Sequence, residues 1–487
     1  MVIPPVDHDC VLKDVVTELS NKLAKLEHEL ALIKKAHIGP KTERSKMPRI
    51  DDGKRATPEE KLAKRRARAK ARAQIPTVRI EHRVPDTERT CPKCGNDKLT
   101  PLGDGAVTTL WEFVPATFVC HEHVQEKLRC KCNGYVVTAP GAPKVVEKGR
   151  YGASFLAHLA VAKCADHLPI YRLEKDFARQ GIPVARSTMN ELLHRTSQIT
   201  KPIWIQVLDD IKVRAVVQAD ETRMRMLDDG NGKPKNGFVW TFVARDDAGQ
   251  LDVALVFAAD RSGETPKTIL NGTEGYLLVD GYSGYNKVAD VSTRKRAGCH
   301  AHLRRYFHDA LATAPVAQQA IDLIRELYGV EHEARDLAKL GDSHLEFRRQ
   351  RARPVRDRLL AWLKAQQPAH PPKSPIGAAI RYGLNGWDAL GRFLDDERIP
   401  LDNNASEAAL RRVALGRKNF LFVGDVDAGT NIAGLYTLIA TCEARSINPF
   451  AYLADVITRV ADVADDPAGI AALLPGAWLA ARVAAAK

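Results

Sequence analysis

The sequence predicts a multidomain α+β protein in which a mixed sheet carrying acidic residues is flanked by helical modules. Three observations predict this. At 487 residues the chain is too long for one compact core, so roughly two to four domains are expected. Between residues 213 and 310, short β-branched runs alternate with turn signals, whereas most of the remainder carries helical periodicity. Two of those runs deliver an aspartate: VRAVVQADET ends near Asp220, and EGYLLVDGYSGY carries Asp280, so both acids are expected at strand ends.

A third acid comes from LDNNASEAALRRVALGRKNFLF. There Asn403, Asn404 and Ser406 offer N-cap side chains, and Ala408, Ala409, Leu410 and Arg411 favour a helix bearing Glu407. Two carboxylates leaving neighbouring strands and one from a facing helix suit a pair of Mg²⁺ or Mn²⁺ ions. Hard cations take oxygen ligands, and a two-metal site clamps the attacking and leaving oxygens of an in-line phosphoryl displacement. An Asp before Gly, as at Asp280, is also ordinary turn chemistry. The three segments together favour phosphodiester chemistry.

From the amino end, residues 1–38 predict a coiled-coil helix. Leu12, Val16, Leu19, Leu23, Leu26, Leu30 and Ile33 alternate four and three apart, a heptad seam suited to a homodimer, with a self-packed amphipathic helix as the plainer reading. Residues 39–78 are a basic linker. Lys64, Arg65, Arg66, Arg68, Lys70 and Arg72 stand in a block with no acid among them, a charge pattern that releases counterions when phosphates lie opposite. A solvated linker would look the same.

Residues 79–145 predict a zinc-ribbon-like module. Cys91 and Cys94 form one knuckle and Cys130 and Cys132 a second, the pattern of one structural Zn²⁺ held by four thiolates, with Cys120, His121 or His123 as possible substitutes. Residues 146–212 are helical and carry a helix-turn-helix outline, with Gly181-Ile-Pro183 as breaker and Ser187 or Thr188 capping the second helix. Arg186, Asn190 and Arg195 are its candidate DNA readers, although such bihelical units also serve as packing.

Residues 213–310 are the first part of the sheet domain. VRAVVQAD, GFVWTFVARD and LDVALVFAAD are meandering strands, RSGETPKTILNG is a short helix, and GYLLVDG is a further strand parallel to the first. That order describes an RNase H-like core, in which the first and fourth strands are neighbours. Glu221 is expected to turn to the opposite face from Asp220. In CHAHLRR, Cys299 is expected to pack, with Arg304 and Arg305 or one histidine near phosphates. Residues 311–400 form a helical insertion, packed by Trp362 and Trp387. Residues 401–430 return the Glu-bearing helix with Arg411, Arg412, Arg417 and Lys418 as phosphate contacts, followed by a strand-like NFLFVGD, and residues 431–487 are an amphipathic helical cap.

A net charge of +13 suggests a polyanionic partner. Nine cysteines, an odd number including one Cys-x-x-Cys, argue against a disulfide framework and for a reducing cytoplasm. MVIPPVDHDC lacks a charged start followed by an apolar run, and the apolar tail is broken by Pro475 and Arg482, so neither a signal peptide nor a membrane span is expected.

The blocks QADET, LVDGYSGYN, GCHAHLRRYF, PPKSPIGAAIRYGLNGWDAL and DNNASEAALRRVALGRKNFLF resemble DDE-type transposases of the insertion-sequence-66 type, and similar blocks run nearly end to end. The resemblance implies catalytic acids at Asp220, Asp280 and Glu407 and double-stranded DNA as partner, both element ends and target. It further implies cleavage and strand transfer at terminal inverted repeats, and small accessory proteins. Two positions depart from the family pattern: Cys130-Lys-Cys132 replaces the usual Cys-x-x-Cys, and Ala408 stands where Arg usually follows the Glu. The rival expectations are a catalytically impaired DNA-binding regulator and an RNase H-like nuclease that does not join strands.

Overall fold

The computed structural model describes residues 118–129, 136–139, 145, 149–227 and 234–485, with scattered helical positions 15, 18–20, 22, 23, 25, 26, 29, 62 and 66 before them. Contacts divide the chain into two compact units, Met1–Ile33 with Phe118–Lys487, and Lys34–Thr117. In the second unit Leu62 and Arg66 are helical and exposed. The other basic-block residues Lys64, Arg65, Arg68, Lys70 and Arg72, and the knuckle residues Cys91, Cys94, Cys130 and Cys132, lie outside the described residues. So do Leu12, Val16, Leu30 and Ile33 of the heptad seam. Its members Leu19, Leu23 and Leu26 are helical and about 60% exposed, beside a Lys22 to Glu18 ion pair of 2.8 Å.

Strands β1 (Lys127–Arg129) and β2 (Val136–Thr138) pair as an antiparallel ribbon. Helix α1 (Ala153–Cys164) is apolar all round and buried, with Leu156, Leu159 and Ala160 wholly covered. Next come α2 (Ile170–Arg179) and α3 (Arg186–Ile199), joined through Gly181, whose φ of +83° is the left-handed turn a side chain would resist. Helix α3 starts earlier than its capping signals suggest. Ala185 is the N-cap, and Ser187 and Thr188 lie inside the first turn, because the extended backbone at Ala185 already sets the helix direction. Helix α4 (Lys201–Lys212) leads into the sheet.

The sheet comprises β3 (Val216–Leu227), β4 (Pro234–Arg245) and β5 (Leu251–Ala258). After helix α5 (Glu264–Ile269) it continues with β6 (Tyr276–Val279) and β7 (Lys295–Gly298). The order is β5-β4-β3-β6-β7, with β3, β4 and β5 antiparallel and β3, β6 and β7 parallel. The expected meander, crossover helix and parallel fourth strand are therefore present. Asp220, however, lies within β3, not at its end. The ladder to β6 stops at Gln218, but pairing with β4 runs on to Leu227, sustained by an alternation of exposed Arg223 and Arg225 with buried Met224 and Met226.

Helix α6 (His300–Ala310) opens the insertion, followed by α7 (Ala317–Asp336), α8 (Asp342–Gln366), α9 (Pro375–Asn385) and α10 (Trp387–Gly391). Cys299 is the buried N-cap of α6, the packing role expected of it. Trp362 stacks edge-on against Phe307, and Trp387 lies under the Arg356 guanidinium, so both indoles pack the insertion as expected. Arg348 ties its base together. This buried guanidinium grips Glu331 through two bonds of 2.7 and 2.8 Å and donates to the carbonyls of Phe393 and Asp396.

The Glu-bearing helix α11 spans Asn404–Phe420, leaving only β8 (Phe422–Val423) of the expected strand; β8 pairs with the far end of β3. Helix α12 (Val426–Ala444) is buried along most of its length and is not an amphipathic cap. It lies along the outer edge of β5, where its small and hydroxylated residues fit a backbone. Thr437 Oγ1 accepts the Leu255 N–H at 2.8 Å, and Thr441 Oγ1 accepts from Val253 N–H and donates to Val253 O. Helices α13 (Pro449–Arg459), α14 (Pro467–Leu473) and α15 (Pro475–Ala485) complete the chain. One face of the sheet shares a core with α1, α2, α3 and the C-terminal helices, and the other packs on α4. Among the described residues no single helix is long and apolar enough to cross a membrane.

Candidate active site

The parallel ladder pairs Val216 with Tyr276, Val217 with Leu277 and Gln218 with Leu278. Carried two residues further, this register sets Asp220 opposite Asp280, each four positions beyond the first pair, and equal parity points both side chains to one face. Asp280 follows the last residue of β6 and begins a tight loop. Its Oδ1 accepts the Tyr282 N–H at 2.9 Å, and Arg296 donates to the carbonyls of Asp280 and Tyr282. Gly281 permits this path, since a Cβ there would lie 2.6 Å from the Tyr382 ring.

Glu407 reaches the same place through Asn403. Its side chain was expected to cap α11, but Asn403 Nδ2 instead donates to the Ala219 carbonyl at 2.8 Å, binding the helix start to the residue before Asp220. Asp402 takes over the local work, accepting from Asn404 N–H and from the Tyr328 hydroxyl. The Asn403 N–H is received by Cys299 Sγ, and His300 bonds the Leu401 carbonyl through N–H and Nδ1, so the start of α6 is fastened to the same segment. From α6, His302 Nε2 stands 3.6 Å from Glu407 Oε1 and Arg305 3.4 Å from Oε2.

Burial pushes the Asp220 carboxyl up to about 7, and the charges of Glu221, Asp280 and Glu407 push the same way against the Glu221 N–H that it accepts. Glu407 Oε1 is buried without a hydrogen-bond partner. An all-oxygen donor set, a carboxylate that resists ionisation and an orphaned carboxylate oxygen are what a hard divalent cation satisfies. The residues present therefore fit such an ion. Among the described residues no three His, Cys, Asp or Glu side chains close around one point. Asp220, Asp280 and Glu407 are each drawn instead to the neighbouring N–H or cationic groups named above.

Glu221 turns away from Asp220, as alternation predicts. It is almost fully covered, held by Arg261 at 2.6 Å and by the Tyr285 hydroxyl at 2.6 Å. Arg261, Tyr285 and Arg296 escaped sequence reasoning, Asn403 was expected only as a cap, and a histidine of CHAHLRR was expected near phosphates. Only the second carboxylate in QADET and the histidines of CHAH gave a local signal.

The other candidate DNA contacts are dispersed. Arg186 pairs with Glu174 and Arg195 with Glu191, while Asn190 is exposed on α3. Arg412 is paired with Glu443, and Arg417 donates to Thr222 Oγ1 at 2.9 Å. Arg411 and Lys418 follow Glu407 along α11, and Arg304 lies one residue before Arg305 on α6. Cys120, His121 and His123 are exposed.

Comparison with known proteins places these elements in a group. Residues 148–431 match the family model described as Transposase IS66 family, residues 88–133 the zinc-finger binding domain of transposase IS66, and residues 437–475 the IS66 C-terminal element. Three proteins of Sinorhizobium fredii (strain NBRC 101917 / NGR234), each named only as uncharacterized, are similar. The protein y4jD is 31% identical over 81% of this chain and 79% of its own length. For y4hP the figures are 29%, 84% and 76%, and for y4qI 35%, 67% and 62%.

Proposed function

The chain belongs to the IS66 transposase family, and from that premise we propose that it cuts and joins DNA through Asp220, Asp280 and Glu407. The single observation that carries the proposal is the shared register of Asp220 and Asp280, with Glu407 drawn to it by the Asn403 to Ala219 bond. The mixed sheet is taken as an RNase H-like core, a reading supported by its strand order and by the crossover before β6.

Two Mg²⁺ or Mn²⁺ ions, when bound, supply Lewis acidity and a lowered water pKa. Asp220, Asp280 and Glu407 would hold them. Asn403 fixes the height of Glu407 against β3, and Arg305 and His302 orient its carboxylate. Arg411 and Lys418 lie further along the same helix, where they meet the backbone of the bound strand. The exposed Ala408 beside Glu407 leaves one such contact unmade.

In this reading the protein binds the terminal inverted repeats of its own element, cleaves there, and joins the freed 3′ hydroxyl to a target strand. Cys91, Cys94, Cys130 and Cys132 hold one structural Zn²⁺ in the module spanning 79–145, supported by the zinc-finger match. Residues 1–38 dimerise, 39–78 add sequence-independent affinity, and 146–212 contribute to end recognition. Small accessory proteins assist, and the work is done at the bacterial nucleoid in the cytoplasm.

The test is Asp280→Ala in the full-length protein, which should bind element ends as before and lose strand transfer. A mutant that still joins DNA in Mg²⁺ would refute the assignment.

A further inference from the structure

Beyond Asp220, β3 and β4 leave the parallel part of the sheet and, with β8, wall a groove of about 800 Å³. Its chemistry is one-sided. Among the described residues, Arg223, Arg225, Arg261 and Arg417 line it against a single carboxylate, Glu221, which is already neutralised by Arg261 and the Tyr285 hydroxyl. Arg223 and Arg225 are exposed and alternate along β3, so their side chains leave the same face about 7 Å apart. An extended nucleic-acid strand presents its phosphates at a comparable interval.

The lip of the groove is apolar. Leu421 is 64% exposed and Phe422 41% exposed at the end of α11. Leu421 holds a φ of +58°, a left-handed backbone that a leucine adopts only when the surroundings impose it. Two large apolar side chains kept in solvent by a strained turn, above a row of guanidinium groups, match a ligand with phosphates on one side and open base faces on the other. A duplex buries its base faces in its own stack and would leave both side chains in water.

We propose that this groove binds single-stranded DNA, with Arg223, Arg225 and Arg417 on the phosphates and Leu421 and Phe422 against unpaired bases. Glu221, Arg223 and Arg225 leave the face of β3 opposite that of Asp220, so the groove lies across this strand from the acids. The inference rests on the transposase reading above and names the form of substrate that the site receives.

The experiment measures binding of the full-length protein, by fluorescence anisotropy without divalent metal, to a blunt duplex and to the same duplex with a four-nucleotide single-stranded 3′ tail. The wild type should favour the tailed duplex by about tenfold. Arg223→Ala with Arg225→Ala should cut that preference to twofold or less and lower the salt slope by about two phosphate contacts, with blunt-duplex affinity changed less than threefold. Phe422→Ala should lose the preference and keep the salt slope, and Arg223→Lys with Arg225→Lys should retain part of it, which a misfolded protein would not. Equal wild-type affinity for both probes, or an undiminished preference in the arginine variant, overturns the proposal. Asp220→Asn separates the two readings. It should abolish cleavage and keep the tail preference, and a wild type that prefers the tail but never cuts in Mg²⁺ would sink the enzyme while leaving the groove standing.

Discussion

Asp220 within β3 and Asp280 one residue past the end of β6 fall in matching register, four residues past the pairing of Val216 with Tyr276. Neither needs a long side chain to reach the other's surroundings, so the sheet itself, more than any loop, fixes their spacing. Like charges held this way are costly, and that cost can be measured.

Asp220→Asn should stabilise the metal-free protein. The folded carboxyl titrates near 7 against an ordinary 3.8, so the native state holds an extra proton between those values, and stability falls as pH rises through the window. Removing the charge should recover up to about 4 kcal/mol at pH 8. Mg²⁺ or Mn²⁺ should raise the melting temperature of the wild type and not of the variant, as scanning calorimetry with and without EDTA would reveal. Equal metal responses would count against Asp220 as a ligand.

Asn403→Ala should loosen the link between α11 and β3. The Ala219 carbonyl loses its donor in a buried place, at a cost of about 1–3 kcal/mol in chemical denaturation. Strand transfer at saturating DNA should drop at least tenfold while end binding stays within twofold, since Asn403 touches the acid's helix and not the DNA. An unchanged turnover would mean that Glu407 does not depend on this bond.

Arg348→Ala should be among the most destabilising changes in the insertion. It leaves Glu331 with only His344 beside it and takes the guanidinium donor from the Phe393 and Asp396 carbonyls, a loss on the order of 3–5 kcal/mol. Arg348→Lys should recover little, because an ammonium cannot make the two-pronged contact. Urea melts of both variants decide this.

His300 should confer acid sensitivity. Burial depresses its imidazole from 6.5 to about 4, so between those values the unfolded chain binds the extra proton and stability is lost as pH falls through that range. The loss is on the order of 3 kcal/mol. Melts of the wild type and His300→Gln between pH 7 and pH 4.5 should diverge in slope. Parallel curves would show that the ring is not held neutral.

Strands β3 to β6 were legible as apolar, β-branched runs, two of which set an aspartate where its neighbour's aspartate also falls, whereas β7, Lys295-Arg-Ala-Gly298, carries no such run and was not foreseen. The reach of β3 was harder to see. Its outer half is ETRMRML, whose alternation of Arg223 and Arg225 with Met224 and Met226 marks a strand with one face in water, while the apolar run that draws the eye ends at Ala219. Asn403 shows another limit. A local rule makes it a cap, but its bond goes to Ala219, 184 residues away, and no window of sequence contains both. Helix α12 was misjudged for the same reason, because a threonine that serves a distant strand looks like any other helix threonine. The placement of Glu221 was foreseen from strand alternation, whereas its partners lie far off in sequence, Arg261 in a loop and Tyr285 in a short 3-10 helix.

An open sheet ordinarily offers its outermost strand to any extended peptide that can add to it. On the β5 side Thr437 and Thr441 already occupy the outward-facing groups of Val253 and Leu255. Recruitment of a partner by strand addition is therefore foreclosed along that border. Any partner would have to engage the molecule away from that border.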